Sequence, residues 1–330
     1  MKKKILITGG AGYIGSYLSF KLSKNYDVII IDNLTTGNIK NVKYGKFYKV
    51  DILDFKKLNF IFEKNKIDIV LHLAALVKID ESLSKPKKYL NTNLIGTSNI
   101  LRCMQKFKVN NIIFASTAAV YMPSKKKLNE NDKIKLTNTY AEAKYFSEKL
   151  IKIYTDLFNM KSVIFRFFNV SGADHKAKIG ERVYPPTHFI TILLNNLLRN
   201  KFTRVHTGLN TPDQSGIRDY IHVKDICSAF EKVIKSYMVK TKFSEKIFEI
   251  FNLGTGIGSS TYETVSYAKK IIKDKNFKII DGKKRPGDQP IVVCDYKKIK
   301  KRLNWRPLNS SLRKIIISSY IWEKSLINEK

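Results

Sequence analysis

The sequence predicts an α/β protein with a doubly wound parallel sheet, followed by a smaller α/β domain. Short β-rich segments alternate with longer segments that carry apolar residues at helical spacing. A glycine-rich turn follows the first of these strands. At 330 residues the chain exceeds the usual size of one domain. Because the alternation weakens after about residue 171, we predict domains at 1–170 and 171–330, with some later elements returning to the first domain.

The elements of this prediction follow from period and composition. The predicted strands are Lys4–Thr8, Val28–Ile31, Phe47–Val50, Ile69–Leu73, Asn111–Ser116 and Ser162–Phe167. The predicted helices between them are Tyr13–Ser23, Lys56–Lys64, Asn93–Phe107 and Tyr140–Phe158. Later in the chain the pattern predicts a helix near Phe189–Leu198, a helix after Asp225 and a strand over Phe248–Leu253.

The charge of the chain is strongly positive. There are 61 Lys and Arg against 28 Asp and Glu, a formal net charge of +33, which by itself suggests an anionic partner such as nucleic acid. The excess is mostly lysine spread along the chain, as a coding bias would produce, and no arginine-rich arm, zinc spacing or aromatic RNA-binding motif accompanies it. We therefore predict no nucleic-acid partner, while the same field favours an anionic nucleotide substrate.

The cysteines and the first residues of the chain indicate where in the cell the protein is found. Cys103, Cys227 and Cys294 lie far apart, neither as a metal cluster nor as a disulfide framework, so packing roles and no metal are predicted. The basic start Met1–Lys4 is followed only by the short apolar run Ile5–Ile7, unlike a signal peptide. No stretch approaches the roughly 20 apolar residues of a membrane span. A cytoplasmic protein without a membrane partner is expected.

The turn after the first strand has the pattern of a dinucleotide site. Gly9, Gly12 and Gly15 separate the strand Ile5–Thr8 from an amphipathic helix. Missing side chains let the backbone turn tightly and approach a pyrophosphate, whose charge then lies at the positive end of the helix. Asp32 ends the second strand, where a carboxylate accepts hydrogen bonds from a ribose. The context of strand, turn, helix and acid predicts a Rossmann-type domain.

The residues around Asp32 favour NAD as the cofactor. The carboxylate would repel a 2′-phosphate, and no arginine follows in the segment 33–37. After the third strand, Asp51 and Ile52 are predicted to frame the adenine, although Asp51 could instead cap the helix before Phe55. After the fourth strand, small side chains would let the cofactor pass closely; the residues are Leu73, Ala74 and Ala75.

The strongest catalytic signal is the pair Tyr140 and Lys144, with Thr117 upstream at the end of a strand. Residues four apart share one helix face, so the lysine ammonium can lie near both the phenol and the ribose. That charge, with oxidised nicotinamide, should lower the pKa of Tyr140 and make it a usable base. Tyr and Lys at this spacing also occur on exposed helix faces. The position of the pair after a dinucleotide turn and a strand-end hydroxyl favours catalysis.

These motifs resemble the extended short-chain dehydrogenase/reductases. Further stretches resemble the UDP-glucose 4-epimerase branch across most of the chain; they are 28–34, 72–75, 81–82, 166–173, 216–225, 251–256 and 285–288. The resemblance implies interconversion of UDP-galactose and UDP-glucose. Tyr140 would take the proton of the sugar 4-hydroxyl, Thr117 would hydrogen-bond that oxygen, and a 4-keto sugar would form transiently beside tightly bound NAD.

The resemblance also implies binding residues and an assembly. Asn169 and Arg218 would contact the diphosphate, while Arg285 and Asp288 would hold the second phosphate and the uridine ribose. His188 falls at a substrate-contact position. Further implied cofactor contacts are Tyr13, Ile14, Asn33 and Phe168. The implied homodimer would form through the helices Asn93–Phe107 and Tyr140–Phe158.

Alternatives to this activity remain open at the level of the sequence. Val292 lies four residues after Asp288, where side-chain size bears on sugar choice, so a UDP-N-acetylglucosamine or dual-specificity epimerase is one alternative. Nucleotide-sugar dehydratases and decarboxylases are another. Such enzymes typically carry an acid just after the strand-end threonine, where this chain has Ala118 and Ala119. A non-catalytic NAD-binding regulator on the same fold is the alternative from a different class.

Overall fold

The computed structural model describes residues 2–183, 185–239, 246–274, 276–285 and 287–329. Its contacts divide the chain into two compact units. Unit 1 comprises Met1–Val120, Leu136–Arg166 and Ala229–Phe251, and unit 2 comprises Tyr121–Lys135, Phe167–Ser228 and Asn252–Lys330. Both units are therefore discontinuous in sequence, with residues 121–135 in unit 2 and 229–251 in unit 1.

The strands and helices alternate along the chain. The strands are β1 (Lys4–Thr8), β2 (Asp27–Asp32), β3 (Lys46–Lys49), β4 (Ile69–His72), β5 (Asn111–Thr117), β6 (Lys161–Phe167), β7 (Asn169–Ser171), β8 (Phe202–His206), β9 (Ile217–His222), β10 (Ile247–Leu253), β11 (Gly258–Ser260), β12 (Lys278–Gly282) and β13 (Ile291–Val292). The helices are α1 (Tyr13–Leu22), α2 (Phe55–Asn65), α3 (Ile79–Ser84), α4 (Pro86–Leu90), α5 (Gly96–Lys106), α6 (Thr139–Phe158), α7 (Phe189–Leu198), α8 (Val223–Val233), α9 (Thr261–Ile272), α10 (Lys297–Leu303) and α11 (Leu312–Asn328). Short 3-10 turns span Ile39–Asn41 and Ala118–Val120, and π-helical turns span Asn91–Ile95 and Ile234–Val239.

Unit 1 is built on a seven-stranded sheet in the order β10-β6-β5-β4-β1-β2-β3. The pairs β1–β2, β1–β4, β2–β3 and β4–β5 are parallel. The order reverses between β1 and β4, and in sheets of this kind ligands bind outside the carboxyl ends of the strands at such a reversal. The predicted α/β fold and the six predicted strands of the first half are confirmed, with their ends shifted by one residue or none.

The central strands are apolar on both faces because helices cover both faces of a parallel sheet. Leu6 of β1, Val70 of β4 and Ile112 of β5 are fully buried in one core cluster with residues of α2 and α5. Burying each such side chain contributes about 1.5–3 kcal/mol. The strongly apolar segments of the sequence are therefore the ones that form the middle of the sheet.

The ends of α6 are fixed by asparagine. The side chain of Asn138 accepts a hydrogen bond from the backbone N of Ala141 at 2.9 Å, and Asn159 ends the helix in the left-handed conformation. The predicted helix Asn93–Phe107 was wrong at its start. The chain forms a π-helical turn over Asn91–Ile95, and α5 begins only at Gly96.

Unit 2 contains a small sheet with β9 at its centre. β11 runs antiparallel to β9, whereas β13 and β7 run parallel to it along successive parts of the strand. A two-stranded parallel sheet of β8 and β12 lies elsewhere in the unit. The apolar face of α7 packs with α9 and α11 through buried residues that include Leu193, Val265 and Ile316.

Two general features concern the whole described chain. Cys103, Cys227 and Cys294 are all buried. Within the described ranges, no helix combines the length and the apolar character needed to cross a bilayer.

Candidate active site

The glycine turn after β1 brings backbone against backbone. Gly9 has φ +71°, and a Cβ there would lie 2.7 Å from the backbone N of Ala74. A Cβ on Gly15 would lie 2.3 Å from the carbonyl of Gly9, so only glycine lets α1 pack this closely. At Gly12 an added Cβ would meet only the Gly9 carbonyl, at 3.2 Å. The turn is thus closed towards the protein and open at Gly12, where α1 presents its positive end.

Tyr13 and Ile14, predicted as cofactor contacts, form the first turn of α1. Gly12 occupies the N-cap position without a side-chain hydrogen bond. The Tyr13 side chain is buried, and that of Ile14 is partly buried. Both residues therefore place their backbone amides at the helix N-terminus, where a phosphate is bound by backbone donors.

Asp32 lies at the end of β2 with its carboxylate buried. It accepts hydrogen bonds from the backbone N of Ala11 at 3.0 Å and of Leu34 at 2.8 Å. Burial raises the pKa of Asp32, and these two hydrogen bonds oppose that rise. The carboxylate is therefore fixed in direction beside the glycine turn, with acceptor capacity left for hydroxyl groups.

Asp51 does not cap a helix. Its carboxylate accepts hydrogen bonds from Asn33 Nδ2 and from the backbone N of Leu53, both at 2.8 Å. The cap of α2 is Asp54, which accepts from the backbone N of Lys57 at 3.0 Å. The alternative role considered for Asp51 is thereby wrong. Asn33 and Asp51 link the ends of β2 and β3, and Ile52 beside them is buried.

A buried histidine fixes the end of β4. The two ring nitrogens of His72 lie 2.7 Å from Thr8 Oγ1 and 2.9 Å from Thr97 Oγ1. Burial lowers the pKa of His72 to about 3, so the ring is neutral at physiological pH. Thr8 Oγ1 also accepts from the backbone N of Ala74 at 3.2 Å. These contacts hold the predicted cofactor segment 73–75 against β1.

Sequence reasoning missed Asn93, which holds the next residue of that segment. Its Oδ1 accepts from the backbone N of Leu76 at 2.8 Å, and its Nδ2 donates to the Leu76 carbonyl at 2.9 Å. Its own carbonyl accepts from the hydroxyls of Thr97 at 2.6 Å and Ser147 at 3.0 Å. These side-chain donors serve a carbonyl in the π-helical turn. An asparagine on an apolar helix face was the available signal.

Tyr140 lies in the first turn of α6, packed with Leu76 and Tyr89. Its hydroxyl lies near the side chain of Thr117, which ends β5. Burial raises the pKa of Tyr140, and the nearby Thr117 hydroxyl only partly opposes this. The fall in this pKa that was predicted with Lys144 and oxidised nicotinamide together stays a prediction, since burial dominates in the protein without cofactor. Burial disfavours the phenolate, and Lys144 does not approach the hydroxyl closely enough to reverse it.

Lys144 is buried one turn after Tyr140. Its Nζ lies 4.1 Å from the ring centroid of Phe114, and burial lowers its pKa to about 7. The ammonium makes no hydrogen bond or ion pair with any residue that the structure describes. A buried cation that has an aromatic ring but no oxygen acceptor among the described residues is costly, and such a group is suited to a ligand that supplies oxygen acceptors.

Three predicted substrate residues lie on the β9 sheet of unit 2. Arg218 of β9 is the register partner of Val292 of β13, and Asn169 of β7 is the register partner of Tyr220. The Val292 side chain is partly buried. β7 and β13 pair with different parts of β9, so the strand places Asn169 and Val292 along its length.

Two arginines share one carboxylate in unit 2. Arg285 donates to Asp288 through Nε at 2.9 Å and Nη2 at 3.1 Å. Arg218 Nη2 lies 3.7 Å from the same carboxylate. The formal charge of the group is +1, which favours an anion. Pro286, part of the predicted motif, lies outside the described residues.

His188 begins α7, and Glu181 fixes it. His188 Nδ1 lies 2.8 Å from Glu181 Oε1, and that oxygen also accepts from Thr187 Oγ1 at 3.1 Å. Thr191 Oγ1 donates to Glu181 Oε2 at 2.5 Å. The attraction of Glu181 raises the pKa of His188 against the opposing effect of burial. Sequence reasoning singled out the histidine but not the buried carboxylate behind it.

Phe168 is a predicted cofactor contact, and the sequence predicts no metal site. Phe168 is buried, and its backbone N donates to the carbonyl of Leu253 at 3.1 Å within unit 2. Among the described residues, no three His, Cys, Asp or Glu side chains are grouped so as to hold a metal ion.

Comparison with known proteins identifies the family. The family model described as GDP-mannose 4,6 dehydratase matches residues 6–316. UDP-glucose 4-epimerase of Lactobacillus helveticus is 35% identical over 327 residues, covering 98% of this chain and 97% of that protein. The chain belongs to the UDP-glucose 4-epimerase family. The predicted resemblance is confirmed.

Solved structures of the epimerase family agree with the fold over its full length. UDP-glucose 4-epimerase from Bifidobacterium longum, in complex with NAD+ and UDP, has a TM-score of 0.92 at 29% identity and covers 99% of this chain and 100% of that one. The UDP-Glc/GlcNAc 4-epimerase of Campylobacter jejuni has a TM-score of 0.81 at 30% identity, covering 98% and 99%. In this epimerase-family chain, Ala118 and Ala119 follow Thr117 in a 3-10 turn, where neither side chain can transfer a proton.

Proposed function

We propose that the chain is an NAD-dependent UDP-hexose 4-epimerase that interconverts UDP-galactose and UDP-glucose through a transient 4-keto sugar. The observation that carries this proposal is the proximity of the Tyr140 and Thr117 side chains, with the Lys144 ammonium, which no oxygen acceptor of the described residues binds, one helical turn away. Full-length similarity to UDP-glucose 4-epimerases supports it. The alanines after Thr117 count against a dehydratase that needs an acid there.

The residues of unit 1 fit NAD. The turn at Gly12 leaves room for a pyrophosphate at the positive end of α1, and Asp32 offers a carboxylate to the adenosine ribose. The buried Lys144 ammonium lacks an acceptor that a ribose hydroxyl would supply. Asp32 without a neighbouring arginine favours NAD over NADP. We assign the NAD-binding role to the first domain on these grounds, with Asp51 of unit 1 as a further contact; Phe168, the other contact predicted from the sequence, belongs to unit 2.

The proposed reaction requires the chain's own residues to move one proton, that of the sugar 4-hydroxyl. Tyr140 takes the proton of the sugar 4-hydroxyl and later returns it, while Thr117 hydrogen-bonds the same oxygen. NAD, held by the glycine turn and Lys144, would supply a reversible hydride acceptor for C4 of the sugar. Because burial raises the pKa of Tyr140 in the protein alone, the base form depends on positive charge. Lys144, with a pKa of about 7, is the residue that supplies it.

Unit 2 supplies the proposed nucleotide contacts. Arg218 and Arg285 would bind the diphosphate oxygens, and Asp288 would accept from the uridine ribose. In the structure Asp288 is held by Arg285, so a phosphate must compete for that guanidinium and would release the carboxylate for the ribose. Asn169 would contact the diphosphate, and His188 would contact the nucleotide sugar from the start of α7.

We also propose a homodimer formed through α6. Phe146, Ile153 and Leu157 are 47%, 52% and 68% exposed and lie seven and four residues apart, on one helix face. Ile95, also exposed at 49%, precedes α5. Paired helices would cover these side chains.

With only three cysteines, all of them buried, a reducing cytoplasmic location is the proposed setting.

The activity test compares three outcomes. The purified protein is incubated with UDP-galactose, and the products are separated by ion-exchange chromatography. We expect UDP-glucose, with the same final ratio when the reaction starts from UDP-glucose. A 4-keto-6-deoxy product would instead assign a dehydratase. Protein that retains NAD and its fold but converts nothing would assign the non-catalytic regulator.

A further inference from the structure

Glu148 is a buried carboxylate that the proposed reaction does not use. It lies on α6 one turn after Lys144, and its side chain is only 2% exposed. Arg166 of β6 donates to it through Nε at 3.0 Å and Nη2 at 2.6 Å, and the hydroxyl of Ser116 donates to the same Oε1. One carboxylate thus joins β5, β6 and α6 at the segment that carries Thr117.

The bonds of Glu148 leave Lys144 unbound. Both carboxylate oxygens are engaged by Arg166, and no ion pair between Glu148 and Lys144 exists in the part of the chain that the structure describes. A direct pair would tie the ammonium to the carboxylate and remove it from the ribose and the phenol. Arg166 and Ser116 therefore hold the negative charge near Lys144 but out of bonding reach.

The other neighbours of Lys144 supply no negative charge. The ring of Phe114 faces the ammonium, His72 is neutral, and Tyr140 carries its proton in the protein alone. Burial lowers the pKa of Lys144, and the attraction of Glu148 raises it. Glu148 is thus the group that keeps a deeply buried ammonium charged near neutral pH.

We propose that Glu148 is a positioning residue of the epimerase reaction. Held by Arg166 and Ser116, it keeps Lys144 charged yet free to bind the cofactor ribose, and it anchors the strand end that carries Thr117. This role rests on the proposed function for its catalytic consequence. Its effect on Lys144 is a property of the chain and is measurable without turnover.

The test uses Glu148→Gln, which keeps an acceptor for Ser116 and one bond to Arg166 but removes the charge. The exposed Glu63→Gln, on α2, is the matched control. With NAD-loaded protein, we expect the alkaline limb of kcat against pH to move down by about one pH unit in Glu148→Gln, with kcat at pH 8 reduced about tenfold. The KM for UDP-galactose and the profile of Glu63→Gln should not change.

A second readout does not depend on activity. In protein with ¹³C-labelled lysine, the Lys144 Cε resonance is identified by its absence in Lys144→Met and is titrated with pH. We expect its midpoint to fall by about one unit in Glu148→Gln. If the parent protein does not epimerise UDP-hexoses, the proposed function fails while this titration still reports on Glu148. A merely structural role would lower Tm and kcat at every pH and leave both midpoints in place, which would overturn the proposal.

Removing one partner of a buried ion pair can destabilise a protein by several kcal/mol. If Glu148→Gln does not fold, Ser116→Ala serves instead, because it keeps the ion pair. Loss of the Ser116 hydroxyl leaves the carboxylate less neutralised, so the Lys144 midpoint should move upward. A midpoint that stays in place in this folded variant would equally overturn the proposal.

Discussion

Glu181 and His188 form a partly buried hydrogen-bonded pair at the start of α7, with Oε1 2.8 Å from Nδ1. The carboxylate raises the pKa of the imidazole, and the imidazole with the hydroxyls of Thr187 and Thr191 lowers the pKa of the carboxyl. The pair links a predicted substrate contact to the core of unit 2. It also makes the stability of the protein depend on pH.

The ion pair of His188 and Glu181 should stabilise the protein most in a weakly acidic range and lose its effect at alkaline pH. The folded pKa of His188 lies above 6.5 and that of Glu181 below 4.5, so the pair stabilises fully between pH 4.5 and 6.5, and its contribution is lost as pH rises through the folded pKa of His188. Urea unfolding at pH 6 and pH 9 should show a smaller advantage of the parent over His188→Asn at pH 9. An advantage equal at both pH values would contradict the assigned charge.

The buried carboxyl of Glu323, on α11, should make the protein less stable at neutral and alkaline pH than at acidic pH. Burial raises its pKa to about 7, although Asn195 Nδ2 donates to it at 2.8 Å. The unfolded carboxyl ionises first, so stability falls between pH 4.5 and about 7 and then levels. We expect Glu323→Gln, which keeps the acceptor, to be more stable than the parent at pH 8 by about 2 kcal/mol and equal to it at pH 4. Calorimetry at the two pH values measures this, and a variant less stable at pH 8 would refute the assignment.

Replacing Tyr140 with Phe should slow epimerisation strongly without unfolding the protein. The substitution removes only the hydroxyl that Thr117 contacts, and general acid–base groups contribute roughly 10²–10⁴-fold. We expect kcat to fall within that range while NAD content and UDP affinity remain. Tyr145→Phe, on the same helix, is the control and should retain parental kcat. Activity of Tyr140→Phe within a factor of about two of the parent would end the proposed mechanism.

The sequence predicts the parts of this molecule that depend on local pattern. The central strands are apolar throughout because helices cover both faces of the sheet. The spacing of the glycines predicts the turn after β1, and the helical repeat places Tyr140 and Lys144 on one face of α6. The polar contacts that fix these residues join distant positions. Glu148 accepts hydrogen bonds from Arg166, eighteen residues later in the chain. Asn93 is hydrogen-bonded to the backbone of Leu76, seventeen residues earlier. Such pairings exist only once the chain has folded, so no local pattern indicates them.

The same limit explains two features that the sequence did not indicate. The π-helical turn over Asn91–Ile95 accommodates hydroxyl donors from Thr97 and from Ser147, which lies on another helix. The rise in the pKa of Tyr140 comes from burial by Leu76 and Tyr89, which the Tyr–Lys spacing does not reveal. The helical period predicts which face of α6 carries Tyr140 but not that its side chain is buried.

The exposed stripe on α6 should hold two copies together. Replacing Leu157, 68% exposed, by Glu places a charge among Phe146 and Ile153. We expect a dimer for the parent and a monomer for Leu157→Glu by light scattering after gel filtration. Leu308→Glu, at a 75% exposed position of unit 2, is the control and should remain dimeric. A parent protein that is monomeric at about 10 μM would contradict the proposed assembly.

Val292 should set the breadth of sugars accepted. It is the register partner of Arg218, which we assign to the diphosphate, so a larger side chain there would reduce the space beside the bound nucleotide. The partly buried valine is of medium size, and we expect turnover of UDP-N-acetylglucosamine as well as UDP-glucose. In Val292→Tyr, kcat/KM for the acetylated substrate should fall roughly 10–200-fold, the range of a steric change in a pocket, while that for UDP-galactose changes little. Val292→Ala is the matched control and should retain both activities. If the parent turns over only the unacetylated sugars, or if the tyrosine variant loses both activities equally, side-chain size at this position does not select the sugar.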